Sequence, residues 1–201
     1  GLLLNLRGVN LNPGANPDDM VSIRAWVLGE RIITCRRRRL MAVNDIRQRI
    51  EQNKGPETAG EFIVELASRL VERMADVIDE LDVAADDLET LVVTGGRAQI
   101  RAKLADIRML SINLRRYLAP QREALARLQS ETLSWLDARQ KSRLREVSDR
   151  VIRYVEDLDT IRERAAVIQD EVMSRFSEEM NRNMYALAIV ATVLLPLGFL
   201  T

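Results

Sequence analysis

The 201 residues carry 30 Lys and Arg against 30 Asp and Glu, for a formal net charge of zero, and only 4% are aromatic. A nucleic-acid binder needs a basic excess to neutralise phosphates, and this chain has none. Histidine is absent and Cys35 is the single cysteine, so no Ser-His-Asp or Cys-His catalytic set, no Cys/His zinc site and no internal disulfide can be built.

Any metal ion this chain handles must meet carboxylates, amides, backbone carbonyls or water, hard ligands that suit passage better than tight storage. No metal-ligand set is assigned from the sequence, and no tightly bound cofactor is expected. Cys35 reads as a small apolar residue in a strand. The chain starts directly in the run Leu2-Leu3-Leu4, with no signal-peptide pattern, so the expectation is a fragment or a processed chain.

The first 36 residues read as strands. Leu2, Leu4 and Leu6 alternate, as do Val21, Ile23, Ala25 and Val27, and the Asn/Pro/Gly-rich stretch from Asn10 to Asp19 is the loop between them. Val27 to Ile33 looks like a hairpin turning at Gly29. A sheet this small needs a second layer, which predicts further strands or helices before Gly1 in a longer parent.

From Leu40 onward the signal is helical. Leu40 to Gln52 is a short helix stopped by Lys54-Gly55-Pro56. A long helix starts near Thr58, with Ile63, Ala67, Leu70, Met74, Val77, Leu81, Ala84, Leu88 and Leu91 spaced alternately by four and three. It breaks at Gly95-Gly96. A returning helix from about Arg97 to Ser130 carries Ile100, Leu104, Ile107, Leu114, Leu118, Leu125 and Leu128, and Pro120 should bend or break it.

Charge supports an antiparallel hairpin of these two helices. Asp76, Asp79, Glu80, Asp82, Asp86, Asp87 and Glu89 occupy a stretch without any base, and the returning helix is basic. Folding about Gly95-Gly96 predicts Glu89 near Arg101, Asp82 near Arg108 and Asp76 near Arg115. The acidic run has two readings: a face that attracts or senses cations, or a solvated helix face neutralised by its neighbour, which the complementary bases favour.

The last helix begins near Gln140. Val147, Val151, Tyr154, Leu158, Ile161, Ala165, Ile168, Val172 and Phe176 keep the heptad rhythm, which runs without a stop into Met184 to Thr201, a stretch with no charge. One helix over that whole length would be roughly 90 Å long. The tail falls just short of the ~20 residues that a full membrane span takes. Arg175 and Arg182 precede it, as expected on a cytosolic flank. A buried terminal helix or an oligomerisation zipper is the alternative.

Residues 184 to 201, above all the ending Leu195-Pro196-Leu197-Gly198-Phe199-Leu200-Thr201, closely resemble the first membrane helix of the CorA family of divalent-cation transporters. The lead-in Glu179-Met180-Asn181-Arg182-Asn183 fits the same pattern. So does Arg115-Arg116-Tyr117-Leu118-Ala119-Pro120-Gln121-Arg122, with its Arg-Arg-x-x-x-Pro-x-Arg spacing. Leu6-Arg7-Gly8-Val9-Asn10 and the run Arg36 to Arg39 look most like the family's zinc-transporting branch, the ZntB transporters. The family's Gly-Met-Asn or Gly-Ile-Asn signature is not among these residues, and Gly198 stands where family members usually carry Thr.

The resemblance implies a homopentamer in an inner or plasma membrane, with lipid and divalent cations as its other partners. Zinc would be the leading cargo, with magnesium, nickel or cobalt next. Five long helices would form a stalk that continues into an axial pore, lined by Asn181, Met184, Leu187 or Ala188, Ala191, Leu195 and Gly198. The amide of Asn181 would meet a hydrated cation, and Met184, Leu187 and Leu195 would form apolar rings able to gate by dewetting. A membrane-tethered coiled-coil scaffold without a pore is the competing function. An enzyme is not expected, since no phosphate loop or dinucleotide fingerprint is present.

The expected fold is thus α+β: the end of a cytosolic α/β portion over 1–56, a helical hairpin over 57–139, a stalk over 140–183, and the start of a membrane helix over 184–201. The four arginines 36–39 read either as a solvated strand end or as a contact for phosphate, anionic lipid or a neighbouring subunit.

Overall fold

The structure is a computed structural model; it describes the backbone of residues 1–94 and 97–199 and the side chains of residues 1–92 and 99–192. Strands β1 (Leu2–Gly8), β2 (Val21–Leu28) and β3 (Arg31–Arg36) precede four helices, α1 (Met41–Glu51), α2 (Ala59–Thr94), α3 (Arg97–Ser130) and α4 (Ala138–Phe199). This is the expected α+β arrangement.

The sheet is antiparallel in the order β1-β2-β3. Leu4 pairs with Ala25 and Leu6 with Ile23, and all four are buried. The period of two therefore does what the alternation predicted: it sends one face of β1 and β2 onto the helices. Leu28 pairs with Arg31 across a two-residue turn, where Gly29 adopts a φ of 58° that a side chain disfavours. β3 is almost wholly exposed, and Cys35 on it is an exposed free thiol, not a packed apolar residue.

The three long helices share one apolar seam. Every position of the predicted stripe from Ile63 to Leu88 is buried except Ala84, which is half-buried, and the stripe from Ile100 to Leu128 is buried throughout. α4 inserts its own row, Leu144, Val147, Val151, Val155, Leu158, Ile161, Ala165 and Ile168, all buried. Its direction follows from its polar partners. Arg150 pairs with Glu72, Arg164 with Asp82, and Arg175 reaches the carbonyl of Val92, so α4 runs parallel to α2. Asp159 pairs with Arg115 and Gln169 with Arg108, so it runs antiparallel to α3.

This arrangement corrects the predicted charge pairing. Among the described residues Glu89–Arg101, Asp82–Arg108 and Asp76–Arg115 do not form. α4 packs along both helices of the hairpin and supplies the partners instead, with Arg164 for the acids of α2 and Asp159 for the bases of α3. The Gly95-Gly96 turn itself lies outside the described residues. Pro120 does not end α3, which continues to Ser130. Pro120 and Arg116 are both exposed, so water can satisfy the carbonyl of residue 116 that the missing N–H leaves free, while Leu118, Leu125 and Leu128 hold the helix to the core.

The helix starts are tied together at the far end of the bundle. The Thr58 hydroxyl accepts from the Glu61 N–H at 3.2 Å, and the Glu61 carboxylate accepts from the Glu57 N–H at 2.9 Å. Asp137 and Gln140 form a reciprocal capping box, with N–H to side-chain oxygen distances of 3.0 and 2.7 Å. The Gln140 amide also donates to Thr58 Oγ1 at 3.2 Å. A Cβ on Gly60 would lie 2.5 Å from the Trp135 carbonyl, so only glycine lets the start of α2 approach the loop before α4 this closely.

Candidate functional site: the free end of the long helix and the acidic face

At 62 residues α4 is about 93 Å long. Among its described side chains, burial stops after Val172. Ile168 is buried and Val172 half-buried, and from Met173 to Thr192 every residue is exposed. Arg175 lies at the departure: its guanidinium donates to Glu171 Oε1 at 2.7 Å and to the Val92 carbonyl at 3.5 Å.

Beyond that point the predicted pore positions stand clear of the rest of the chain. Met184 is 62% and Leu187 69% exposed, and Asn181, Ala188 and Ala191 are exposed too. At about 100° per residue these positions fall within about a third of the helix circumference. The opposite side is equally open, with Tyr185 71% and Val190 53% exposed. The side chains of Leu195 and Gly198 lie outside the described residues. Among the described residues no helix is long and apolar enough to cross a membrane.

The acidic face of α2 lies against α4 further down. Arg164 donates to Asp82 Oδ1 at 2.8 Å, to Glu89 Oε1 at 2.9 Å and to Asp86. These hydrogen bonds raise its already high pKa, so it stays charged. One cation thus answers three of the seven carboxylates. Asp76, Asp79, Glu80 and Asp87 form no ion pair among the described residues.

Asp157 of α4 faces this group. Burial first, then the charges of Asp82, Glu156 and Asp79, push its carboxyl above the usual value. Burial likewise raises the Tyr154 hydroxyl. Among the described residues no group of three or more Cys, Asp or Glu side chains is arranged to hold a metal ion. Among the described residues the face is acidic, with Arg164 as the base that bonds its carboxylates.

Sequence reasoning missed Arg164 and Asp159. Both flank the buried stripe of α4, beside Ala165 and Leu158, which is where charges that set helix register belong. That position was readable once α4 was counted as the third member of the seam.

Comparison with known proteins bears on the same architecture. The CorA-like Mg2+ transporter protein family matches residues 1–201. The divalent cation transporter CmaX of Pseudomonas aeruginosa is 42% identical over all of this chain and 60% of its own length. The zinc transport protein ZntB of Pectobacterium atrosepticum is 36% identical over all of this chain and 61% of its own length. The solved structure of full-length CmaX superposes with a TM-score of 0.93, covering 99% of this chain and 61% of that one. The chain belongs to the CorA-like family, a family of transporters and not of enzymes. It spans about three fifths of the length of these relatives.

Proposed function

We propose that this chain is the cytosolic portion and the start of the first membrane helix of a divalent-cation transporter, with zinc as its leading cargo and magnesium, nickel or cobalt as the alternatives. The observation that carries the reading is the free end of α4. A helix packed over its first half and exposed on all sides over Met173 to Thr192 has an unburied apolar surface that calls for a partner. The family membership and the names of the relatives, a divalent cation transporter and a zinc transport protein, support a transporter assembly as that partner.

In this reading the partners are copies of the same chain, five by family resemblance, together with membrane lipid. The face bearing Asn181, Met184, Leu187, Ala191, Leu195 and Gly198 turns to the axis. Asn181 offers amide oxygens to a cation that keeps part of its water shell, and the apolar residues beyond it form a constriction that dries when the helices close. Residues 1–56 and the hairpin over 57–139 hold the stalk over 140–183, and residues 184–201 lie in an inner or plasma membrane. The cytosolic part gates the pore by moving α4 against α2 and α3. The acidic face raises the local cation concentration without binding tightly. The cation is cargo, and no resident cofactor is needed.

Thiol chemistry tests the axial face. In the full-length parent carrying Cys35→Ser, Leu187→Cys and Ile189→Cys lie on nearly opposite sides of α4. A charged methanethiosulfonate reagent should slow zinc flux strongly through Leu187→Cys and little through Ile189→Cys. Equal block at both positions, or block only at Ile189→Cys, would remove Leu187 from the pore.

A further inference from the structure

The arginine run that ends β3 does not project alone into solvent. Arg37 and Arg38 line a cleft of about 470 Å³ together with Asp19, Ser22 and Tyr117. This size falls in the range of small-molecule sites, and so does the mixture of a ring with a few polar groups. Two further arginines attend the ring. The Arg7 guanidinium lies 4.4 Å from the Tyr117 centroid and that of Arg116 lies 5.0 Å away, and Arg116 Nη2 donates to the Tyr117 hydroxyl at 3.1 Å. The cleft therefore joins the loop before β2, β2, the segment after β3 and α3, with Arg7 of β1 on the Tyr117 ring, an arrangement that no spacing in the sequence places together.

The balance of charge at the cleft is basic. Arg49, Arg69, Arg73, Arg115, Arg150 and Arg164 all hold carboxylates. Among the described residues Arg7, Arg37, Arg38 and Arg116 form no ion pair. The nearby carboxylate of Asp18 is occupied by the Asn113 amide at 2.8 Å, which leaves Asp19 as the only acid lining the cleft. The frame is also braced. Arg36 pairs with Ile23 in the sheet, the Arg39 carbonyl accepts from Asn12 Nδ2 at 3.0 Å, and the Arg7 N–H donates to Gln121 Oε1 at 2.8 Å, locking β1 to α3. Arg37 and Arg38 thus hang between two fixed points.

We propose that this cleft binds a soluble phosphorylated anion of the di- or triphosphate class. Guanidinium groups meet phosphate oxygens in paired, charge-assisted hydrogen bonds, and the two arginines held on the Tyr117 ring add positive charge beside the cleft. Asp19 fits a ligand hydroxyl and opposes a bare phosphate.

A lipid headgroup shares this chemistry, but its position argues against it. Arg115, next to Arg116, is bonded to Asp159 of α4 at 2.7 Å. From Asp159 to Met184, where the uncharged tail begins, is about 37 Å along the helix. Because Arg115 grips α4 beside the cleft, an occupant of the cleft is placed to bias the long helix.

Isothermal titration of the chain in detergent, at constant ionic strength, tests the assignment with four probes: pyrophosphate, ATP, sulfate and glycerophosphoglycerol, a lipid headgroup. Pyrophosphate and ATP should bind saturably below millimolar, and sulfate and the headgroup far more weakly. Arg37→Gln with Arg38→Gln should weaken ATP about tenfold or more. Asp19→Asn should tighten pyrophosphate severalfold, an effect of opposite sign that loss of fold cannot imitate. Arg47→Gln with Arg127→Gln, on exposed helix faces elsewhere, should change nothing. Absence of saturable binding, equal weakening by the two arginine pairs, or a headgroup affinity matching that of pyrophosphate would each overturn the proposal.

Discussion

Arg164 holds three carboxylates from one position, and its removal leaves Asp82, Asp86 and Glu89 facing Asp157 with no internal counter-ion. These acids are all more than half exposed, and exposed pairs contribute about 0.2–1 kcal/mol each. Arg164→Gln is therefore expected to cost about 1 kcal/mol in urea denaturation, with the loss reduced in high salt. A loss that is unchanged in high salt would show that packing, not charge, is what Arg164 supplies. Asp157 makes the complementary case. Its folded pKa lies above the unfolded value of 3.8, so its charge opposes folding fully above the folded value, and the penalty disappears as pH falls to the unfolded one. Asp157→Asn should melt higher than the parent at pH 7, and the difference should close by about pH 3.5. A parent that melts higher at pH 7 would contradict the burial and like-charge account.

At the scale of the element, the helices were legible because their apolar rows repeat by four and three and their stops are Gly, Pro and capping residues. Every predicted stripe from Ile63 to Ile168 is buried or half-buried. The charge pairing was not legible. Heptads say that a helix has a seam and do not say which helix fills it, and the match of acids to bases across Gly95-Gly96 was equally consistent with a third helix between them. Of the two outcomes expected at Pro120, a bend or a break, the break does not occur: a proline's cost is local, and the tertiary contacts of Leu118 and Leu125 outweigh it. The cleft at Arg37, Arg38 and Tyr117 was invisible because its parts lie on separate elements. Two outcomes follow from the seam. Leu158→Ala, at a site 1% exposed, should cost about 2–5 kcal/mol in denaturant unfolding. Pro120→Ala should raise stability, by up to about 3 kcal/mol, because it restores a helix hydrogen bond on an exposed surface. A destabilised Pro120→Ala would mean that the proline's shape, and not its position, is what α3 needs.

Across the whole molecule, α4 has a packed base and an exposed stretch beyond it. The base fixes α4 through a buried seam and the capping box at Asp137 and Gln140. The exposed end carries apolar and amide groups beyond Arg175. Family membership and the exposure of this end both fit a pore built from copies of one helix. The measurement that tests this most directly is metal flux into liposomes holding the full-length parent, with zinc, magnesium and nickel compared at two pH gradients. Saturable uptake of a divalent cation, zinc foremost, is the predicted result. No flux of any of the three ions, from protein shown to be folded and inserted, would contradict the account and leave a membrane-tethered coiled-coil scaffold in its place.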